Sequence, residues 1–275
     1  MQECTNQNPS DFELGNPPVV EVAIVSHYLP SESPEKWDKP IIDAFFKEIM
    51  DTGYEPTNIG IRENFRVKYK DPEHRAPEQL RIDRRIDSVL AQKKDSCLSL
   101  QLGQDWFSVN LLRQGIDYPG FAPILEEWSG LHDRYIAFFR PQKVSRLILR
   151  YNDSVKIQLL QGKTRLEDYF TVRPALPEQS FGGIGDFQLQ FVISGAAPDH
   201  ALAVNFGSIR SRESEHANYR ILWHYVIEKT KDPLDLDKNG LKTLLGEARI
   251  KMRACFRSFF TDKGWQLFDP KQTST

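Results

Sequence analysis

The chain has 275 residues, 40% of them hydrophobic and 27% charged, and its formal net charge is −2 at pH 7. This nearly neutral balance disfavours a protein that holds nucleic acid by bulk positive charge, although a local basic stripe is compatible with it. The polar start resembles no signal peptide and no apolar run nears the ~20 residues that span a bilayer, so we expect a cytoplasmic protein without membrane contact.

The N-terminal part of the chain predicts a tail, a strand and a helix. Residues 1–15 are mostly polar and are predicted to be a disordered tail. The stretch Val19–Tyr28 alternates like a half-buried strand, with Val20 and Val22 on its apolar face. Apolar residues from Trp37 to Ile49 recur at helical spacing and predict an amphipathic helix.

A charged stretch follows a short predicted strand between Ile59 and Tyr69 and an exposed loop from Asp71 to Gln79. It reads Arg81-Ile-Asp-Arg-Arg-Ile-Asp87. One interpretation is a solvated edge with internal ion pairs. The other is a patch that binds an anion or a partner, because guanidinium groups match phosphate and carboxylate geometry. Arg81, Arg84 and Arg85 are therefore candidate binding residues.

The middle of the chain carries the clearest fold signal. Three alternating segments, Ile86–Gln92, Cys97–Leu102 and Trp106–Leu112, are separated by polar turns and predict an antiparallel meander. A stripe of large apolar residues from Phe121 to Phe138 then predicts a helix of about five turns. Strand spacing returns in two segments, Lys143–Tyr151 and Ser154–Leu160. A helix beside a meander most naturally covers one face of the sheet.

Polar and aromatic residues on these strands form a second candidate site. Trp106, Ser108 and Asn110 share the more polar face of the hairpin, and Arg146 and Arg150 alternate on a later strand. An aromatic ring beside arginines and an amide suits an extended peptide or a stacked base. The alternative is that these residues are buried contacts between layers. Trp106, Asn110, Arg146 and Arg150 are retained as candidate binding residues.

The C-terminal part repeats the same plan. Alternating segments around Phe187–Ile193, Leu202–Phe206 and Tyr219–Glu228 predict strands, and a last helix of about six turns ends near Phe259. We therefore predict an α+β fold made of two similar halves, each an antiparallel sheet covered by a long amphipathic helix. The halves cover residues 16–162 and 163–275 of one compact body, and a continuous sheet is one way of joining them.

The sequence carries no coherent catalytic set. The glycine-rich segment Phe181–Asp186 runs into strand spacing and not into a helix, so no nucleotide or other cofactor is expected. The histidines and cysteines lack metal-ligand spacing, so no metal is expected either. The one acid–base pair worth weighing is His224 with Glu228, which share a strand face. A structural hydrogen bond is the competing interpretation for these residues.

Several short segments together resemble a known family. These are Asn16-Pro-Pro-Val-Val-Glu21, Leu100-Gln-Leu-Gly-Gln-Asp-Trp-Phe-Ser-Val-Asn110, Tyr118-Pro-Gly-Phe121 and Leu147-Ile-Leu-Arg-Tyr-Asn152. The chain resembles, from about Asn16 to Phe268, a sporadically distributed bacterial family of conserved hypothetical proteins. The resemblance implies a bacterial cytosolic protein from patchily distributed, mobile or defence-associated loci. It brings no catalytic residues to carry over.

The sequence thus favours a non-enzymatic binding or adaptor protein that acts on a protein partner through its sheet face or an exposed sheet edge. One alternative is a nucleic-acid-binding component that uses the arginine clusters. Another is an enzyme whose site is centred on His224 and Glu228. A homodimer is compatible with each of these hypotheses.

Overall fold

The computed structural model describes most of the chain, and its described residues form a mixed α+β fold. The described ranges are 13–32, 37–71, 76–113, 118–158, 165–173, 186–194, 199–209, 216–229 and 232–271. Side-chain surroundings are described for all of these except 13, 62–71, 76–85, 194 and 271. Within these ranges, the main elements are one nine-stranded antiparallel sheet and four α-helices.

The chain builds eleven strands in order. They are β1 (Glu13–Leu14), β2 (Val19–Leu29), β3 (Tyr54–Asp71), β4 (Ala76–Lys93), β5 (Leu98–Leu102), β6 (Trp106–Leu112), β7 (Lys143–Gln158), β8 (Gln188–Ser194), β9 (His200–Ile209), β10 (His216–Glu228) and β11 (Pro270–Lys271). The large sheet has the order β3-β4-β5-β6-β2-β7-β10-β9-β8, and β1 pairs with β11 separately. The first strand of the large sheet in chain order, β2, therefore lies at its centre.

Four helices accompany the sheet, namely α1 (Lys39–Glu48), α2 (Ala122–Phe139), α3 (Lys238–Phe259) and α4 (Asp262–Trp265). Helix α2 contacts β2 and β6, α3 contacts β7 and β10, and the two helices contact each other. Trp128 and Tyr135 of α2 are almost completely buried, as their helical spacing predicts. The side chain of Asp237 caps α3 by accepting hydrogen bonds from the backbone N–H groups of Asn239 and Gly240.

The predicted meander is confirmed. Strand β5 pairs antiparallel with β4 on one side and with β6 on the other. Leu100 and Leu102 are buried, as alternation requires. The long helices and the three C-terminal strands also lie where their apolar periodicity places them. None of the helices among the described residues combines the length and apolar character needed to cross a membrane.

Several boundaries differ from the prediction. The two strands predicted on either side of Asn152 are one strand, β7. The strand predicted at Ile59–Tyr69 extends over all of β3, and the predicted exposed loop ends early because β4 begins at Ala76. Register shifts along the β3–β4 hairpin, where the pairing is irregular, accompany these long strands.

The face of Val20 was predicted wrongly. A register shift between Val19 and Glu21 changes the pairing of β2 with β7. One irregular step moves the preceding residues to the other face of the sheet. Val19 is therefore the buried residue at 9% exposure, and Val20 is 37% exposed.

The predicted disordered tail and the predicted boundary between the halves fall mainly outside the described residues. Of the tail, residues 1–12 lie outside, whereas β1 pairs with β11. The division at residue 162 lies in the gap between 158 and 165. The similarity of the two halves stays a prediction.

Candidate functional site

The side of the large sheet opposite α2 and α3 carries a row of polar residues, which we call the polar face. Ser26 of β2 faces the helices, because the indole Nε1 of Trp128 donates a hydrogen bond to its Oγ at 2.9 Å. Alternation then places Val25 and His27 on the opposite side. The polar face as used below consists of Glu21, His27, Trp106, Ser108, Asn110, Arg146, Arg150, Asn152, His224 and Glu228.

One cross-strand row of the polar face joins Trp106, His27, Arg146 and Glu228 on four neighbouring strands. Arg146 donates from Nη2 to Glu228 Oε1 at 2.6 Å, and both side chains are about two-fifths exposed. The His27 and Trp106 rings lie 6.2 Å apart. Burial, and then the nearby Arg146 charge, lower the pKa of His27, so its imidazole is neutral at pH 7.

A second row joins Asn110, Ala23, Arg150 and His224. Arg150 donates from Nη2 to Glu21 Oε1 at 2.5 Å. Burial, and then the Arg150 charge, lower the pKa of His224. Its Nε2 has no hydrogen-bond partner among the described residues. The arginine in each row is therefore neutralised by a glutamate and accompanied by a neutral histidine.

The structure brings four of the predicted site residues to one face. Trp106, Asn110, Arg146 and Arg150 all belong to the polar face, with β2 inserted between the strands that carry them. Asn110 is buried at 5% exposure and donates from Nδ2 to Ser108 Oγ at 3.1 Å. A binding role for these four residues stays a prediction.

The other predicted residues are not assembled with them. Arg81, Arg84 and Arg85 have their backbone in β4, but their side chains lie outside the described part of the structure. His224 and Glu228 lie four residues apart on β10, roughly 13 Å along a strand. Each faces a different arginine, so they do not form a hydrogen-bonded pair.

Sequence analysis missed Glu21 and His27 as members of the polar face. The alternation assumed for β2 was correct at His27, but a lone histidine carried no signal of its partners. The position of Glu21 depends on the register shift after Val19, which no periodicity reveals.

A different feature of the sheet is its edge at β8, which pairs only with β9 among the described residues. Its sequence, Gln-Leu-Gln-Phe-Val-Ile-Ser, contains no charged residue and no proline. Val192 is 60% exposed and Ile193 is 43% exposed. Leu189 and Phe191 pack against the core on the helix side. An edge of this kind leaves backbone hydrogen-bonding groups open to another strand.

The opposite edge of the sheet, β3, is built differently. It contains Pro56 and several charged residues, and its pairing with β4 shifts register four times. Proline, charge and bulges are the devices by which proteins prevent pairing at an edge. The two edges thus differ in exactly the properties that govern strand addition, and β8 is the receptive one.

The described residues contain no group of three or more histidine, cysteine, aspartate or glutamate side chains placed to hold a metal ion. Comparison with known proteins adds no family assignment. No protein-family model matches the chain, and no curated protein matches it.

Proposed function

We propose that the chain is a non-enzymatic binding protein that takes up an extended segment of a partner protein along the β8 edge. The observation that supports this proposal is the uncharged, proline-free and partly apolar strand at that edge. A segment added there gains main-chain hydrogen bonds from the edge, and the exposed side chains give selectivity at alternate positions.

The polar face gives the partner a second region to contact. Val192 lies in the same cross-strand row as Ala203, His224 and Arg150. The row therefore runs from the edge over a small alanine side chain to the half-buried Arg150–Glu21 pair. A partner chain that pairs with β8 and turns over this row reaches the predicted binding residues. Strands ~4.8 Å apart put Arg150 only roughly 14 Å from the edge.

A protein partner is favoured over nucleic acid by the state of the arginines. Arg146 and Arg150 are each bonded to a glutamate at short distance. Phosphate binding by these side chains would compete with those ion pairs and bring the glutamate charges close to the phosphates. The enzyme hypothesis loses its acid–base pair, because Glu228 is bonded to Arg146 and lies apart from His224. The proposal does not require two similar halves.

The experiment selects linear peptides from a random library with the purified chain and measures the affinity of a selected peptide by fluorescence anisotropy. Val192→Lys places a charge on the edge and is expected to weaken binding at least about tenfold. Ile250→Lys is the matched control, because Ile250 is 54% exposed on α3. Hydrogen exchange should show protection of the β8 amides in the complex.

Three results would contradict the proposal. Equal weakening by the two lysine variants would show that the edge is not the binding site. Protection of amides elsewhere, with β8 unchanged, would lead to the same conclusion. A concentration-dependent dimer that Val192→Lys abolishes, seen by analytical ultracentrifugation, would replace the partner segment with a second copy of the chain. Affinity for nucleic acid that falls steeply with salt would instead favour the arginine hypothesis.

A further inference from the structure

A cavity of about 430 Å³ lies on the helix side of the sheet, away from the polar face. Its walls come from the entry to β2, the approach to α2, the strands β7 and β10, and α3. Its volume is within the range of small-molecule sites. The residues that give it its chemistry are Tyr118, Tyr151, Asp153, Trp223, Arg249 and Arg253.

Asp153 is the most unusual group in this cavity. It is 2% exposed, and the indole Nε1 of Trp223 donates a hydrogen bond to its Oδ2 at 2.8 Å. Its other oxygen, Oδ1, has no hydrogen-bond partner among the described residues. An unpartnered buried oxygen is costly, and a ligand donor or acceptor at that position removes the cost.

The charge in the cavity is positive. Burial raises the pKa of Asp153 to about 7, so below that pH its carboxyl is largely neutral. Arg249 and Arg253 line the cavity from α3, four residues apart and hence on one helix face. The Arg249 guanidinium lies over the Phe121 ring at 5.1 Å, which orients it.

The walls are mainly aromatic and apolar. Tyr118, Tyr151, Trp223 and Phe256 line the cavity together with Pro17, Pro18 and Met252. Aromatic walls favour a flat ring, which gains area and stacking contacts that a flexible chain does not.

We propose that this cavity binds a small planar organic anion, with its anionic group at Arg249 and Arg253 and a hydrogen-bonding group at Asp153. The ligand ring packs among the aromatic walls. Two ligand types share this chemistry, an aromatic carboxylate and a nucleoside monophosphate. The site is separate from the β8 edge, so its failure and that of the proposed function are distinguishable.

Binding of 4-hydroxybenzoate and of guanosine 5′-monophosphate is measured by isothermal titration calorimetry. At least one probe is expected to bind at millimolar concentration or below, and which one binds identifies the source. Arg249→Gln combined with Arg253→Gln should weaken binding about tenfold or more, as expected for lost charge-assisted hydrogen bonds. Arg220→Gln removes an equal charge from an exposed position on the opposite side of β10 and should change little.

The carboxylate probe has a second signature. An ionised Asp153 repels the anion, so binding should be tightest below pH 7 and weaken about tenfold per pH unit well above it. The other ionisable groups lining the cavity, Tyr118, Tyr151, Arg249 and Arg253, keep their charge between pH 6 and 8, since burial raises the pKa of both tyrosines. Asp153→Asn should remove this pH dependence.

Failure of both probes to bind overturns the proposal, as does equal weakening by Arg220→Gln and the cavity variants. Thermal melting first establishes that each variant is folded. If the double variant does not fold, the single variants Arg249→Lys and Arg253→Lys replace it. Each keeps the charge but loses the guanidinium fork, and unchanged affinity in both also overturns the proposal.

Discussion

Replacing Asp153 with asparagine is expected to change how folding stability depends on pH. The carboxyl is fully buried and its pKa is raised from 3.8 to about 7, mainly by burial, while the Trp223 hydrogen bond opposes the rise. Between these two values the folded chain keeps the proton and the unfolded chain releases it. Stability therefore falls as pH rises through this window and becomes constant above about pH 7.

The magnitude follows from the size of the window. From pH 5 to pH 7, two pH units at roughly 1.4 kcal/mol each reduce the free energy of unfolding by about 2.7 kcal/mol. Asparagine keeps the shape and an acceptor for Trp223 but does not ionise. The stability of Asp153→Asn relative to the parent chain should therefore increase by about this amount between pH 5 and pH 8.

Urea unfolding followed by circular dichroism at pH 5, 6, 7 and 8 measures this difference. Titration of the histidines largely cancels, because both proteins carry the same ones. Asp43→Asn is the control, since Asp43 is exposed and bonded only to Lys39 in an i,i+4 pair. A stability difference between Asp153→Asn and the parent that does not vary with pH would refute the assignment of a buried, largely neutral carboxyl at this position.

Three further perturbations test the architecture around the sheet. Gly103→Ala places a Cβ within 2.1 Å of the Trp106 indole and should cost about 1–3 kcal/mol with a shift in tryptophan fluorescence; Gly130→Ala, with open space around it in α2, should stabilise by about 0.5–1 kcal/mol, and equal effects would contradict the packing. Ser26→Ala leaves the buried Trp128 N–H without its acceptor and should cost about 1–3 kcal/mol in urea unfolding; no loss would mean that the bond contributes little. His132 is held between the Tyr28 hydroxyl and the Leu236 carbonyl, and burial lowers its pKa. Because the unfolded chain takes up the proton first, His132→Gln should reduce the loss of stability as pH falls below 6.5, and an unchanged slope would contradict that assignment.

Much of the fold follows from local periodicity. The alternation in β5 and β6 and the apolar stripes of α2 and α3 each lie within one element, so neighbouring residues alone determine them. Asp153 shows the limit of such reasoning. Asparagine and aspartate are disfavoured in strands, so Asn152 and Asp153 predicted a break in what is one strand. The residue at that predicted break lines the cavity and accepts the Trp223 hydrogen bond.

The sequence by itself thus determined the element types, the α+β class and the residues that alternate onto one side of each strand. Only the tertiary structure decided the strand order, the place of β2 between β6 and β7, and the contrast between the two sheet edges. Strand pairing depends on contacts between residues far apart in the chain, and those contacts leave no local pattern. The same reason applies to the cavity, whose walls come from five separate segments.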